Sequence, residues 1–162
     1  MRANFTQLYL HSVWATWDRL PLITSDIQKP IYAAIIRQCE QLGCTLIGVG
    51  GIEDHVHFLT GLPPTLSVSD FIKNIKGSSS HFVTHEIKPG DFFKWQGSYG
   101  AFTVSHDGID EVAEYIRNQA IHHQQKLTIP KWELMLCSLE ELLKLPINLV
   151  VMLFKWQVFQ SI

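Results

Sequence analysis

The stretch "CTLIGVGGIEDHVHFLTGL", residues 44–62, decides the fold. Two runs rich in apolar and β-branched residues flank Gly50–Asp54, so the pattern predicts two strands joined by a tight turn. On the second strand His55 and His57 stand one residue apart and share a face, with Val56 pointing the other way.

The chain on either side extends this hairpin into a sheet with helices. Residues 5–16, "FTQLYLHSVWAT", carry β-branched and aromatic residues in partial alternation and read as a strand. In "SDIQKPIYAAIIRQCEQLG" Ile31, Ile35, Cys39 and Leu42 recur at helical spacing, Ser25 or Asp26 serves as N-cap and Gly43 as the stop. Pro30 fits only the first turn of a helix, so the regular part is expected to begin near Lys29. A further helix is predicted from about Ser67, with Val68, Phe71, Ile72 and Ile75 on one side. Gly77 and the serines Ser78 to Ser80 are expected to loosen or end it. "SYGAFTVS", residues 98–105, alternates like a strand. "SHDGIDEVAEYIRNQAIHHQQK" reads as a helix opened by Ser105 or Asp107, with acids in its first turn and cations near its end.

The resulting order, β-α-β-β-α-β and then an extra helix, is that of an α+β, ferredoxin-like split βαβ fold: an antiparallel sheet with helices on one face. The extra C-terminal helix carries Tyr115. Residues 1–126 form the expected catalytic domain. Residues 127–162 differ in composition and end in the apolar tail "CSLEELLKLPINLVVMLFKWQVFQSI", whose structure the pattern does not define.

Bulk composition narrows the classes. The 162 residues are 46% hydrophobic and 17% charged, which suits one globular domain without disorder bias. A net charge of -2 removes any global basic excess, although a local cationic patch is enough for nucleic acid. Three cysteines without CxxC spacing argue against a disulfide framework and a cysteine zinc site. No run approaches the roughly 18 apolar residues of a membrane helix, and "INLVVMLF", residues 147–154, is the nearest. The N-terminal stretch is broken by Asn4, Gln7 and His11 and lacks a signal-peptide core. A soluble cytoplasmic protein is expected.

Two histidines at i, i+2 on a strand can place both imidazoles on one side of a divalent ion. They can equally be two hydrogen-bonded histidines at a sheet edge. Tyr115 and Gln119, at i, i+4 on the last helix, bear on the choice. Ile109, Val112, Ala113, Ile116 and Ala120 already supply an apolar stripe, leaving Tyr115 at its margin with its hydroxyl free to reach an outside partner. A glutamine carbonyl oxygen is an acceptable hard ligand for Mg2+ or Mn2+. Asp54 would orient a ligand histidine or simply make the turn. Lys73, Lys76, Ser78 and Arg117 are candidate DNA contacts, or else an exposed helix surface. Arg19 and Arg37 are further phosphate candidates. Trp14, Trp17 and Trp95 are candidates for base stacking, with core packing favoured for at least two of them. His122 and His123 read as a solvated helix end, or else as DNA or metal contacts, and His11 as a hydrogen-bonding neighbour of the site or a sheet-facing packing residue.

These residues carry a family resemblance. His55-Val56-His57 resembles the histidine–hydrophobic–histidine motif of the HUH single-tyrosine transposases of the smallest bacterial insertion sequences and their REP-associated relatives. Tyr115-Ile116-Arg117-Asn118-Gln119 resembles their helix motif. "WQGSYGAFTVS", "LHSVWATWDR" and "NQAIHH" are similar to the flanking stretches, so the likeness spans roughly residues 5–125. It implies single-stranded DNA, with hairpins, as the substrate, and cleavage and rejoining through a 5′-phosphotyrosine. Tyr115 would be the nucleophile and His55, His57 and Gln119 the ligands of Mg2+ or Mn2+. In many such relatives a homodimer forms in which the tyrosine helix acts in trans, whereas REP-associated members can work as monomers, so the resemblance leaves both assemblies open with a homodimer favoured. Two rivals accompany it: a retired module that binds hairpin or single-stranded DNA without cutting, and a replication or mobilisation nuclease of the same motif. The tail after residue 126 has no counterpart in the resemblance.

Overall fold

The hairpin forms where the pattern places it, as β2 (Thr45–Ile52) and β3 (His55–Gly61), with Ile52 opposite His55. The computed structural model describes residues 5–133, without the side chains of Pro130 and Lys131. Besides three short helical turns, the other elements are β1 (Tyr9–Ala15), α1 (Ser25–Gln41), α2 (Val68–Phe82), β4 (Gly100–Val104), α3 (Ile109–Arg117), α4 (Gln119–Gln125) and the single turn α5 (Pro130–Glu133). The four strands lie in the order β2-β3-β1-β4, all neighbours antiparallel, so β3 is inserted between β1 and β2. This is the expected split βαβ, ferredoxin-like sheet.

Strand alternation divides the sheet into two faces. On one face Leu10, Trp14, Val56 and Phe58 pack against Ile31 and Ile35 of α1 and Phe71 and Ile75 of α2. Trp14 stacks on Phe58 at 4.7 Å between ring centroids. Each fully buried aliphatic or aromatic side chain here contributes about 1.5–3 kcal/mol, and this layer forms the main core. On the other face Leu59 packs under Val112, Ala113, Tyr115 and Ile116 of α3, with Trp132 of α5 beside them. His11, His55 and His57 fall on this second face, and all three are completely buried.

Three details depart from the sequence expectations. Helix α1 begins at Ser25 with Thr24 at the N-cap, and it carries Pro30 inside. One missing backbone bond near an exposed helix end costs less than the stripe Ile27, Ile31, Ile35 and Cys39 gains by burial. Helix α2 runs on through Gly77 to Phe82. Its serines are accommodated because Ser79 Oγ donates to the Ile75 carbonyl at 2.6 Å and accepts from Trp95 Nε1 at 2.9 Å. The last helix is broken at Asn118 (φ −100°, ψ 16°), which places Tyr115 and Gln119 on two successive helices. Among the described residues no helix is long and apolar enough to cross a membrane. The apolar tail expected from the sequence falls, after Glu133, outside the described residues.

Candidate metal and tyrosine site

His55 opens β3, one residue after the hairpin turn, and the turn residue Asp54 stays beside it. Asp54 Oδ1 lies 2.6 Å from His55 Nδ1, and Arg19 holds Oδ2 through Nη2 at 2.7 Å and Nε at 2.9 Å. Burial raises the Asp54 pKa, but the His55 hydrogen bond and the Arg19 charge outweigh it and keep the carboxyl below its ordinary range. An ionised Asp54 fixes a His55 proton on Nδ1 and turns Nε2 inward toward Gln119. Arg19 reaches this position from a left-handed backbone conformation (φ 52°), a strained geometry kept where the ion pair requires it. Arg19 thereby braces the carboxylate behind His55.

His57 Nδ1 lies 3.0 Å from Nε2 of His11, and the two rings stack at 5.2 Å. Burial pushes His57 down to about 4 and His11 to about 3, so both rings are neutral at neutral pH. His57 Nε2 is buried and makes no well-formed hydrogen bond. Gln119, only 1% exposed, places Oε1 3.2 Å from His55 Nε2.

Tyr115 packs beside these groups, its ring 5.9 Å from that of His57. It stacks on His122 at 4.9 Å and meets Trp132 edge-on at 4.8 Å. Its hydroxyl accepts from the Ile129 N–H at 3.0 Å and donates to Glu133 Oε1 at 2.5 Å. Burial, and then the Glu133 carboxylate, push the phenol up to about 12.

Glu133 is the residue that sequence reasoning missed. Its oxygens lie 3.5 Å from His57 Nε2, 3.7 Å from His55 Nε2 and 3.7 Å from His123 Nε2. Burial raises its pKa, but the closeness of His57, the hydrogen bond from Tyr115 and the nearness of His55 bring it down to about 2. No local signal marks "KWELM", because the acid reaches the site only through the docking of α5. Of the two readings of His123, the solvated helix end does not hold, since its ring packs 4.8 Å from that of His55. The doubled "HH" after Gln119 was the available hint.

The candidate DNA contacts lie on α2 and at the end of α3. Lys73 is exposed along a groove of about 410 Å³ that Lys76, Lys94, Gln96 and Tyr99 also line. Lys76 turns inward and donates to the carbonyls of Gln96, Gly97 and Ser98, and burial lowers it to about 8. Ser78 bonds back to the Ile75 carbonyl at 3.3 Å, and Arg117 is exposed at the end of α3. Arg37 covers the Phe82 ring at 5.1 Å. Trp14 and Trp95 are core residues, while Trp17 is 43% exposed with Lys94 Nζ 3.6 Å over its ring.

The donor set fits a hard divalent ion: neutral imidazoles, an amide oxygen and a carboxylate meet in a buried spot. Ligand atoms of His55, His57 and Glu133 all lie within 4.8 Å of one another. Ligands about 2.1 Å from one ion are separated by up to about 4.2 Å, so a small contraction closes the group.

Known proteins share this arrangement of chain. A family model described as "Transposase IS200 like" matches residues 4–119. The chain is 27% identical over 125 residues to the ISDra2 transposase TnpA of Deinococcus radiodurans, covering 73% of this chain and 88% of that one. It is 26% identical over 129 residues to the transposase for insertion sequence element IS200 of Salmonella typhimurium, covering 74% and 83%. A crystal structure of a Deinococcus radiodurans R1 transposase superposes with a TM-score of 0.58 at 27% identity, over 74% of this chain and 95% of that one. A REP-associated tyrosine transposase bound to a REP hairpin shares the fold, with a TM-score of 0.54 at 18% identity over 76% and 73%. With the family model spanning most of its length, the chain belongs to the IS200-like transposases.

Proposed function

We propose that this transposase cleaves and rejoins single-stranded DNA through a covalent link to Tyr115, at hairpin-bearing element ends, with Mg2+ or Mn2+ bound by His55, His57 and Gln119. The observation that carries the reading is convergence. A tyrosine, a glutamine and two histidines from distant parts of the chain meet in one buried group on one sheet face.

In the proposed reaction the Tyr115 oxygen attacks phosphorus. The Tyr115 hydroxyl gives up its proton as the O–P bond forms, the P–O3′ bond breaks, and the departing 3′ oxygen takes up a proton to leave as a hydroxyl, so protons balance overall. Attack by another 3′ hydroxyl on the 5′-phosphotyrosine reverses these changes and restores the phenol without ATP. At rest the phenol, raised to about 12, stays protonated beside Glu133. A bound divalent ion would supply positive charge against the scissile phosphate and the phenolate that attacks it. His11 and Asp54 orient the two imidazoles, whose neutral forms are the ones that bind, so activity falls on acidification. Lys73, Lys94 and the exposed Trp17 offer charge and a stacking face for the strand. A homodimer is the proposed assembly. Within one chain Tyr115 already lies beside His57, so chemistry in cis needs no exchange of helices.

The test mixes the full chain with end-labelled single-stranded hairpin DNA and Mn2+ and separates covalent adducts under denaturing conditions. The proposal expects an adduct that Tyr115→Phe and EDTA each abolish. An adduct that survives Tyr115→Phe refutes the nucleophile. No adduct, with DNA affinity unaffected by EDTA, favours a binding module that no longer cuts.

A further inference from the structure

Glu133 stands outside every motif of the chain and yet touches most of the site. We propose that Glu133 is a direct ligand of the divalent ion together with His55 and His57, an inference that rests on the metal site proposed above.

Distance is the first ground. Its two oxygens face the two imidazole nitrogens at 3.5 and 3.7 Å, within the span that two ligands of one ion allow. The second is acceptor crowding. With the His55 proton fixed on Nδ1 by Asp54, the Nε2 lone pair, the Gln119 carbonyl oxygen and the Glu133 carboxylate converge as acceptors on a single buried spot. One hydrogen bond can relieve only one such pair, whereas a cation satisfies all of them together. The third is ligand chemistry: a hard divalent ion prefers an anionic carboxylate to a neutral amide oxygen, and two histidines with one carboxylate make a familiar three-ligand face.

The carboxylate is also held in place by its own element. Trp132, the residue before it, is buried in the α3 cluster and meets the rings of both His11 (4.9 Å) and Tyr115 (4.8 Å). The Ile129 N–H is tied to the Tyr115 hydroxyl. Because Glu133 also accepts the Tyr115 hydroxyl proton at 2.5 Å, a single carboxylate links the ligand group to the nucleophile. Gln119 then becomes an additional neutral ligand.

The test measures Mn2+ binding to the full chain by calorimetry, without DNA and without an activity readout. Glu133→Gln, close to isosteric, is expected to weaken Mn2+ binding about tenfold or more, and His57→Ala to remove it. If His57→Ala loses Mn2+ and Glu133→Gln binds like the parent, this inference fails and the metal site stands. If His57→Ala binds like the parent, the site itself is wrong. A measurement on the unmodified chain covers the case of a variant that does not fold. Mn2+ is expected to broaden the Trp132 indole and Ile129 amide resonances at substoichiometric concentration, and unbroadened signals there would overturn the proposal.

Discussion

Asp54 governs which nitrogen of His55 faces the site, and its effect is measurable separately from chemistry. Asp54→Asn is expected to reduce Mn2+ affinity ten- to a hundredfold, the usual effect of removing a carboxylate behind a ligand histidine. Glu53→Gln, an exposed neighbour, should leave it unchanged. Equal affinities for Asp54→Asn and the parent by calorimetry would contradict the tautomer argument. At this scale the histidine pair was legible because strand alternation alone puts His55 and His57 on one face. Asp54 was legible only as a choice between turn and support. Glu133 was not legible at all, since its role depends on a turn of helix folding back over Tyr115, and that contact leaves no periodic trace in sequence.

At the scale of elements, hydrophobic spacing located every strand and all the longer helices, whereas the breaker residues misled. Pro30 and Gly77 sit inside helices because buried stripes on α1 and α2 outweigh the local cost of each. The break at Asn118 had no clear marker, as asparagine is tolerated in helices. The glycines of β2 carried a signal that only packing explains. A Cβ at Gly50 would lie 2.1 Å from the Ile116 carbonyl oxygen, so the bare backbone lets α3 rest directly on the strand beside His57. Gly50→Ala should therefore cost about 1–3 kcal/mol and displace α3. Gly77, whose added Cβ meets nothing within 4 Å, should instead gain about 0.5–1 kcal/mol as Gly77→Ala. Chemical denaturation of the two variants checks both signs, and equal shifts would refute the close approach of α3.

For the whole molecule, burying neutral imidazoles ties stability to pH. His57 and His11 titrate at about 4 and about 3 when folded, against an ordinary 6.5, so the unfolded chain binds more protons between these limits. Their contribution is complete above about pH 6.5 and is lost as the pH falls toward 4. Glu133 and Asp26, both held near 2, act with the same sign at lower pH. The EDTA-treated chain should thus melt at a rising temperature from pH 4 to 7 by circular dichroism, and a flat or falling trend would contradict the burial of neutral rings. This same buried group, formed where the sheet, α3, α4 and α5 meet, is what the proposed chemistry requires of the fold. At the centre of that chemistry, Tyr115 is proposed to take up the DNA strand. Tandem mass spectrometry of the protease-digested covalent adduct tests this most directly. A nucleotide joined by its 5′ phosphate to the peptide containing Tyr115 is expected, and a nucleotide found on any other residue would overturn Tyr115 as the nucleophile.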